Sequence, residues 1–359
     1  MASRRGGLVL SLGVLLGLLT TLGQSPATAR PERPAPVGSD PFRAGQPYRG
    51  DFPDPSVWRV GQHYFAVATT VAALNLPVMT STDLRTWTTR PAPDPGKPAQ
   101  NDAMPVPAAW ARKQTTSTGR QWAATWAPSV ARIFTGASVL AYSVPRASDG
   151  RRCVSLARSA SPIGPYVDNS RGPLSCGTYG VIDPQIFADG TSYWMLYKME
   201  GVPDRILVRK LNRYATGFAA GSRNYTLLTP HAAWEGSVVE NPAMIRYGGR
   251  LYLIYSGNGY GTTRYATGYA TCRTVIGPCK RRTRLLITGR YLAGPGGATP
   301  FLDTAGQLRL AYHAWKVGNV GYPSTTACAG TAKGCAQRRM YVATLARGKA
   351  WRLVVRRYF

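Results

Sequence analysis

Three carboxylic side chains stand at equivalent points of a unit that recurs along the chain: Asp54 directly before Pro55, Asp183 directly before Pro184, and Glu240, with Asn241, before Pro242. The 359 residues include only sixteen Asp and Glu, so three at one repeated position is a selective placement. Carboxylates that converge on one narrow site are costly to keep all ionised, and at least one is expected to hold its proton near neutral pH. A protonated carboxyl beside an ionised one is what hydrolysis of a glycosidic bond requires. One hands a proton to the leaving oxygen, and the other activates water or attacks the sugar carbon. A third acid can raise the pKa of the donor and orient it. Glu235, five residues before Glu240, competes with it as donor, although Glu240 adjoins the repeated proline; Glu200 follows an aromatic stretch and reads as a loop cap.

Other chemistries find less support. His63, His231 and His313 are too few and too scattered for a poly-His or di-metal centre. No G-x-S-x-G elbow accompanies them, and none of the six Cys has C-x-x-C spacing. His313, in an aromatic stretch, reads as a hydrogen-bonded core residue.

The elements that must position the acids follow from the repeat. Its unit is a Pro, one residue, then a large apolar residue: Pro55-Ser56-Val57, Pro128-Ser129-Val130, Pro184-Gln185-Ile186, Pro242-Ala243-Met244 and Pro300-Phe301-Leu302, with gaps of 73, 56, 58 and 58 residues. After a turn, Gly-containing in most copies, each unit leads into an apolar, aromatic-rich stretch: HYFAVATT, ASVLAYSV, SYWMLYKM, RLYLIYSG and LRLAYHAW. A period near 57 residues with about four strands and no long helical pattern describes one blade of a β-propeller. The expected fold is therefore all-β, a five-bladed β-propeller with a central channel. Proline lacks an N–H and belongs at the start or edge of a strand. The residues before the five prolines should therefore ring one mouth of the channel.

Composition is consistent with a folded domain: 44% apolar and 17% charged residues allow a large core. The balance of 44 Lys and Arg against 16 acids gives a net charge of +28, dispersed along the chain, which fits attraction to an acidic surface as well as general solubility or genomic composition. No zinc-finger or RRM-type signature appears, so no specific nucleic-acid partner is expected. Residues 1–29 read as a secretory signal peptide, with Arg4 and Arg5 before the apolar run Leu8 to Leu22 and a small-residue cleavage site at Ala27-Thr28-Ala29. Residues 30–47 read as a Pro-rich linker, and residues 48–359 as the catalytic domain. A secreted monomer without a membrane span after cleavage is expected. Sequence proximity suggests disulfides Cys153–Cys176, Cys272–Cys279 and Cys328–Cys335, one of 15 possible connectivities.

The motifs DFPDPSV, WAPSV, IDPQIF, VENP with YGGRLYLIYSGN, GPGG leading to LAYHAW, STDLRTW and SASPIGPY together resemble glycoside hydrolase family 43 over about residues 48 to 359. That family comprises five-bladed propeller arabinanases, arabinofuranosidases and β-xylosidases. The resemblance implies cleavage of arabinofuranosyl or xylosyl linkages in plant-type or cell-wall polysaccharides, on a glycan substrate that is acidic if the basic charge is functional. It assigns the general base to Asp54, the pKa-modulating acid to Asp183 and the proton donor to Glu240. Inversion would then set Asp54 and Glu240 about 6.5 to 9.5 Å apart across a water. Trp126 would stack on the sugar, with Phe52 and Arg338 as wall and hydroxyl-binding residues; Asp51 is read as a turn residue. No cofactor is expected. A structural calcium in the central channel remains an alternative, against which stands the Gly297 that follows Gly-Pro-Gly where many family members carry a His. Two other readings stay open: a non-catalytic propeller that binds anionic glycans, and a retaining fructan-type propeller glycosidase, whose R-D-P and E-C motifs are absent here.

Overall fold

Four of the five repeated prolines lie within the first strand of a sheet and Pro55 directly precedes one, as a residue without an N–H should. The computed structural model describes Ala35–Pro36 and residues 50–89, 101–322 and 336–358. The chain divides into two units, Met1–Glu32 and Arg33–Phe359, and the described residues belong to the second. They form five antiparallel meanders in chain order. Blade I comprises Ser56–Val60, His63–Val67, Val78–Ser81 and Thr88–Thr89. Blade II is Trp126–Arg132, Ser138–Pro145 and Arg152–Ser159. Blade III is Val181–Asp189, Ser192–Met199, Arg205–Lys210 and Tyr225–Leu228. Blade IV is Val239–Tyr247, Arg250–Gly257, Ala266–Cys272 and Cys279–Ile287. Blade V is Leu292–Leu302, Leu308–Lys316, Arg339–Arg347 and Leu353–Tyr358. This is the expected five-bladed propeller.

Apolar alternation on the strands gives each blade two faces to bury, and the core is accordingly divided among the blade interfaces. Val67, Leu76 and Val78 meet Leu140 and Tyr142 between blades I and II. Val139 and Val154 meet Ile186 and Met195 between II and III, and Leu196 and Val208 meet Met244 and Leu253 between III and IV. Tyr252 and Ile254 meet Leu310 and Tyr312 between IV and V. Phe301, Ala311 and Val342 of blade V pack on Phe52, Val57 and Tyr64 of blade I, which closes the ring. The second-strand aromatics Tyr142, Tyr197, Tyr252, Tyr255 and Tyr312 are fully buried. Each such ring contributes about 2–3 kcal/mol of burial, so blade packing dominates stability.

Disulfides join Cys153 to Cys176 and Cys272 to Cys279, as sequence proximity suggests. Cys328 and Cys335, the signal region and most of the linker lie outside the described residues. Within the linker, Ala35–Pro36 pairs in parallel with Leu286–Ile287 at the edge of blade IV. No helix among the described residues is long and apolar enough to cross a membrane.

Candidate active site

The acids reach the channel mouth through a distortion shared by the blades. The first strands of blades II, III and IV each slip register by a bulge, between Trp126 and Ser129, Ile182 and Gln185, and Glu240 and Ala243. The residue before the repeated proline takes a positive φ in four blades: Asp54 at 52°, Ala127 at 41°, Asp183 at 56° and Asn241 at 48°; in blade V Gly297 does so at 57°. This backbone region is sparsely populated for non-glycine residues and persists where surrounding contacts enforce it. Here the enforcing contacts come from the preceding blade. The N–H of Asp54 donates to His313 Nδ1, that of Ala127 to Thr69 Oγ1, that of Asp183 to Ser143 Oγ, that of Asn241 to Asp183 Oδ2 and that of Gly297 to Ser256 Oγ. Bulges re-aim side chains: Asp183 and Glu240 sit at the bulges of blades III and IV, and Asp54 at the corresponding positive-φ position before the first strand of blade I.

These three acids line one cavity of about 590 Å³ together with Asp51, Trp126, Arg152, Lys198, Glu200, Tyr260, Tyr265, Tyr322 and Arg338. Asp54 accepts a hydrogen bond from Thr69 Oγ1 at 2.7 Å and faces Arg338, whose Nη1 lies 3.3 Å from both carboxylate oxygens. Burial opposes its charge, but the Arg338 guanidinium, the adjoining His313 ring and the Thr69 hydroxyl together outweigh burial and hold the carboxyl well below the usual range. Asp54 is therefore an ionised, hydrogen-bonded carboxylate at neutral pH. Arg338 is itself buried against Tyr260 and Tyr322, 4.9 and 5.2 Å from the ring centroids, and donates to the Tyr322 hydroxyl.

The opposite wall has the reverse electrostatics. Burial and the neighbouring Glu240 push Asp183 well above the usual carboxylate range. Glu240 receives Lys198 Nζ on Oε2 at 3.1 Å and the Tyr265 hydroxyl on Oε1 at 2.9 Å. Asp183 so placed keeps its proton near neutral pH, beside a Glu240 whose two oxygens both accept from donors. The cavity thus holds a fixed carboxylate on one side and a proton-bearing Asp183 beside Glu240 on the other, two carboxyls held in opposite states as acid/base hydrolysis needs.

Trp126 and Arg338 line the cavity as expected from the sequence. Phe52 does not: it is 0% exposed, inside the core shared by blades I and V. Its neighbour Asp51 lines the cavity instead of making a turn, accepting the Arg338 N–H at 2.7 Å and the Tyr322 hydroxyl at 2.8 Å. Successive side chains of an extended segment point to opposite sides, so Asp51 and Phe52 could not both face the site. Glu235 is also placed away from it, fully buried and bonded to Tyr255, Arg281 and the N–H groups of His231 and Ala232. Glu200 lies at the cavity wall, 2.7 Å from Arg152 Nε.

The position after Gly-Pro-Gly carries no metal-ligating side chain in this chain, and the His313 ring stands beside it. A Cβ on Gly297 would stand 2.5 Å from the His313 ring and 2.7 Å from Asp54 Oδ1, so the space of a side chain there is already taken. His313 Nδ1 accepts the Asp54 N–H and the Asp54 oxygens face Thr69 and Arg338. Among the described residues no group of three or more His, Cys, Asp or Glu could hold a metal ion.

Lys198, Tyr265, Tyr260, Tyr322 and Thr69 escaped the sequence reading. A signal for some of them existed. Thr69, Ser143, Lys198 and Ser256 all occupy the seventh place of the five second-strand stretches, and His313 the sixth of the last.

Known proteins share this fold and its repeated motifs. The profile of Glycosyl hydrolases family 43 matches residues 46–338, most of the chain, and the chain belongs to that family. It is a glycosidase. A β-D-galactofuranosidase of Aspergillus niger is 28% identical over 290 residues, 76% of either chain. The probable arabinan endo-1,5-α-L-arabinosidase A of Aspergillus clavatus is 29% identical over 213 residues, 52% of this chain and 64% of that protein's length. In fold, a thermostable family-43 glycoside hydrolase superposes with a TM-score of 0.66 at 22% identity, covering 87% of this chain and 94% of the other. The Cellvibrio cellulosa α-L-arabinanase gives 0.62 at 19% identity, covering 85% and 95%.

Proposed function

We propose that the chain is an exported furanoside hydrolase that cleaves arabinofuranosyl linkages, with xylosyl linkages as the second choice, by a single inverting displacement. The observation that carries this reading is the contrast between the cavity walls. Arg338 and Thr69 help keep Asp54 ionised, whereas Asp183, buried beside Glu240, holds its proton. Asp54 takes a proton from water as that water attacks the anomeric carbon, and Glu240 protonates the departing glycosidic oxygen. Asp183, held to the Asn241 N–H, keeps a proton available to Glu240. Trp126 offers an apolar face to the sugar, and Arg338 offers donors to its hydroxyls. The furanose preference is supported by two relatives whose names specify a galactofuranosidase and an arabinan arabinosidase. Export is supported by two disulfides and by the signal-like run before residue 30.

The test is a panel of aryl α-L-arabinofuranosides, aryl β-D-galactofuranosides, aryl β-D-xylosides and linear arabinan, assayed with wild type, Asp54→Asn and Glu240→Gln. Furanoside cleavage is expected, with both variants slower by roughly 10²–10⁴-fold on arabinan. Glu240→Gln should lose least on aryl substrates, whose leaving groups need little protonation. Undiminished arabinan cleavage by Glu240→Gln would overturn the donor assignment.

A further inference from the structure

Four of the five blades satisfy the positive-φ residue of the next blade in the same way. A neutral polar side chain toward the end of the second-strand stretch, Thr69, Ser143, Ser256 or His313, accepts that residue's N–H. In blade III that place belongs to Lys198, which pairs in register with Ile182 as Ser143 pairs with Trp126 and Ser256 with Glu240. An ammonium has three donors and no acceptor, so it cannot do what its counterparts do. The N–H of Asn241 turns to Asp183 Oδ2 instead. Lys198 points at Glu240, 3.1 Å from Oε2, and is held from behind by Asp204, 2.9 Å from its Oδ2. The lysine is only 5% exposed. A serine or threonine would satisfy the backbone here without the desolvation cost of a buried ammonium, so the ring of bulges does not explain a lysine.

We propose that Lys198, anchored by Asp204, is the positioning residue of the proton donor: it fixes the Glu240 carboxyl and sets the pH at which the Asp183–Glu240 pair gives up its proton. This rests on the reading of Glu240 as donor. As the leaving oxygen takes the proton, Glu240 becomes a carboxylate, and an ammonium 3.1 Å away favours that charge while Asp183 opposes it. Among the described residues, three further groups bear on the lysine or on the two acids. Glu200, paired with Arg152, faces it from the end of the same strand; the Tyr265 hydroxyl meets the second Glu240 oxygen; Asp54, held by Arg338, bears on Asp183. Asp204 tempers the lysine, so Lys198 and Asp204 act on the pair in opposite directions.

That opposition makes the test specific. The profile of kcat/KM against pH is measured between about pH 4 and pH 9, on a glycoside from the panel with an alkyl or sugar leaving group. Loss of the donor's proton ends activity on the alkaline side. Lys198→Met should move that limb up by roughly one pH unit, because the pair then loses its proton less readily. Asp204→Asn leaves the ammonium wholly to Glu240 and should move the limb down. Lys198→Arg should restore most of the wild-type limb. If Lys198→Met does not fold, Asp204→Asn carries the test, since it retains the cation. Wild-type limbs in the folded variants, beside an inactive Glu240→Gln, would overturn the role of Lys198 alone. An active Glu240→Gln would remove the donor reading and this proposal with it.

Discussion

Asp54 and Asp183 are the same side chain at the same place in two blades, each before a proline with φ of 52° and 56°, yet their neighbours give them opposite charge states. Arg338 and Thr69 stabilise the carboxylate at Asp54, whereas burial and Glu240 disfavour it at Asp183. Asp51 adds a third case: burial outweighs Arg338 and Tyr322 and raises its carboxyl from 3.8 to about 6. Between those two values the folded protein holds a proton that the unfolded chain has released. The stabilisation is therefore complete below about pH 4 and is lost as pH rises through about 6, an effect on the order of 3 kcal/mol. Asp51→Asn, which can still accept the Arg338 N–H, should gain in thermal midpoint relative to wild type between about pH 4 and pH 7.5. Thermal melts across that range check it, and a difference independent of pH would contradict the raised carboxyl.

At the scale of elements, the repeat was legible because proline suits a bulged first strand whose geometry leaves no use for an N–H. The acids were legible because they adjoin that proline. Side-chain direction was less legible. The resemblance assigned Phe52 to the site, whereas strand parity gives the cavity Asp51 and buries Phe52 in the seam between blades V and I. Lys198 was not legible from the apolar pattern of its strand, although the polar residue near the end of each stretch, after Ala68 in blade I and after a Tyr in the others, is the one that reaches the first strand of the next blade or the residues just before it. The Gly-Pro-Gly-Gly run has a steric meaning. A Cβ at Gly296 would stand 2.0 Å from Tyr265 Cε1, and Tyr265 donates to Glu240. Gly296→Ala should therefore displace that ring, cost about 1–3 kcal/mol of stability and lower kcat by more than about tenfold. Denaturant melts and kinetics check both effects, and wild-type kcat in this variant would separate the Tyr265 ring from donor placement.

Across the whole molecule, five interface clusters hold five rigid sheets around one mouth, so residues from Asp51 to Arg338 meet in a single cavity. The scarce acids are concentrated there. Asp51, Asp54, Asp183, Glu200 and Glu240 line the cavity against Arg152, Lys198 and Arg338, while the chain as a whole carries +28. The basic excess therefore lies outside the site, for example where Arg209, Arg213 and Arg223 stack on Phe218, Tyr214 and Tyr225. Retention on an acidic polysaccharide column should fall steeply as salt rises from about 0.05 to 0.5 M, and retention on neutral arabinan should not. Salt-independent retention on both would separate the charge from substrate capture. The central claim, that Asp54 and the Asp183–Glu240 pair perform one direct displacement, is tested most directly by proton NMR of the first sugar released from an aryl α-L-arabinofuranoside. The β-anomer should appear first and then mutarotate; initial release of the α-anomer would contradict the claim.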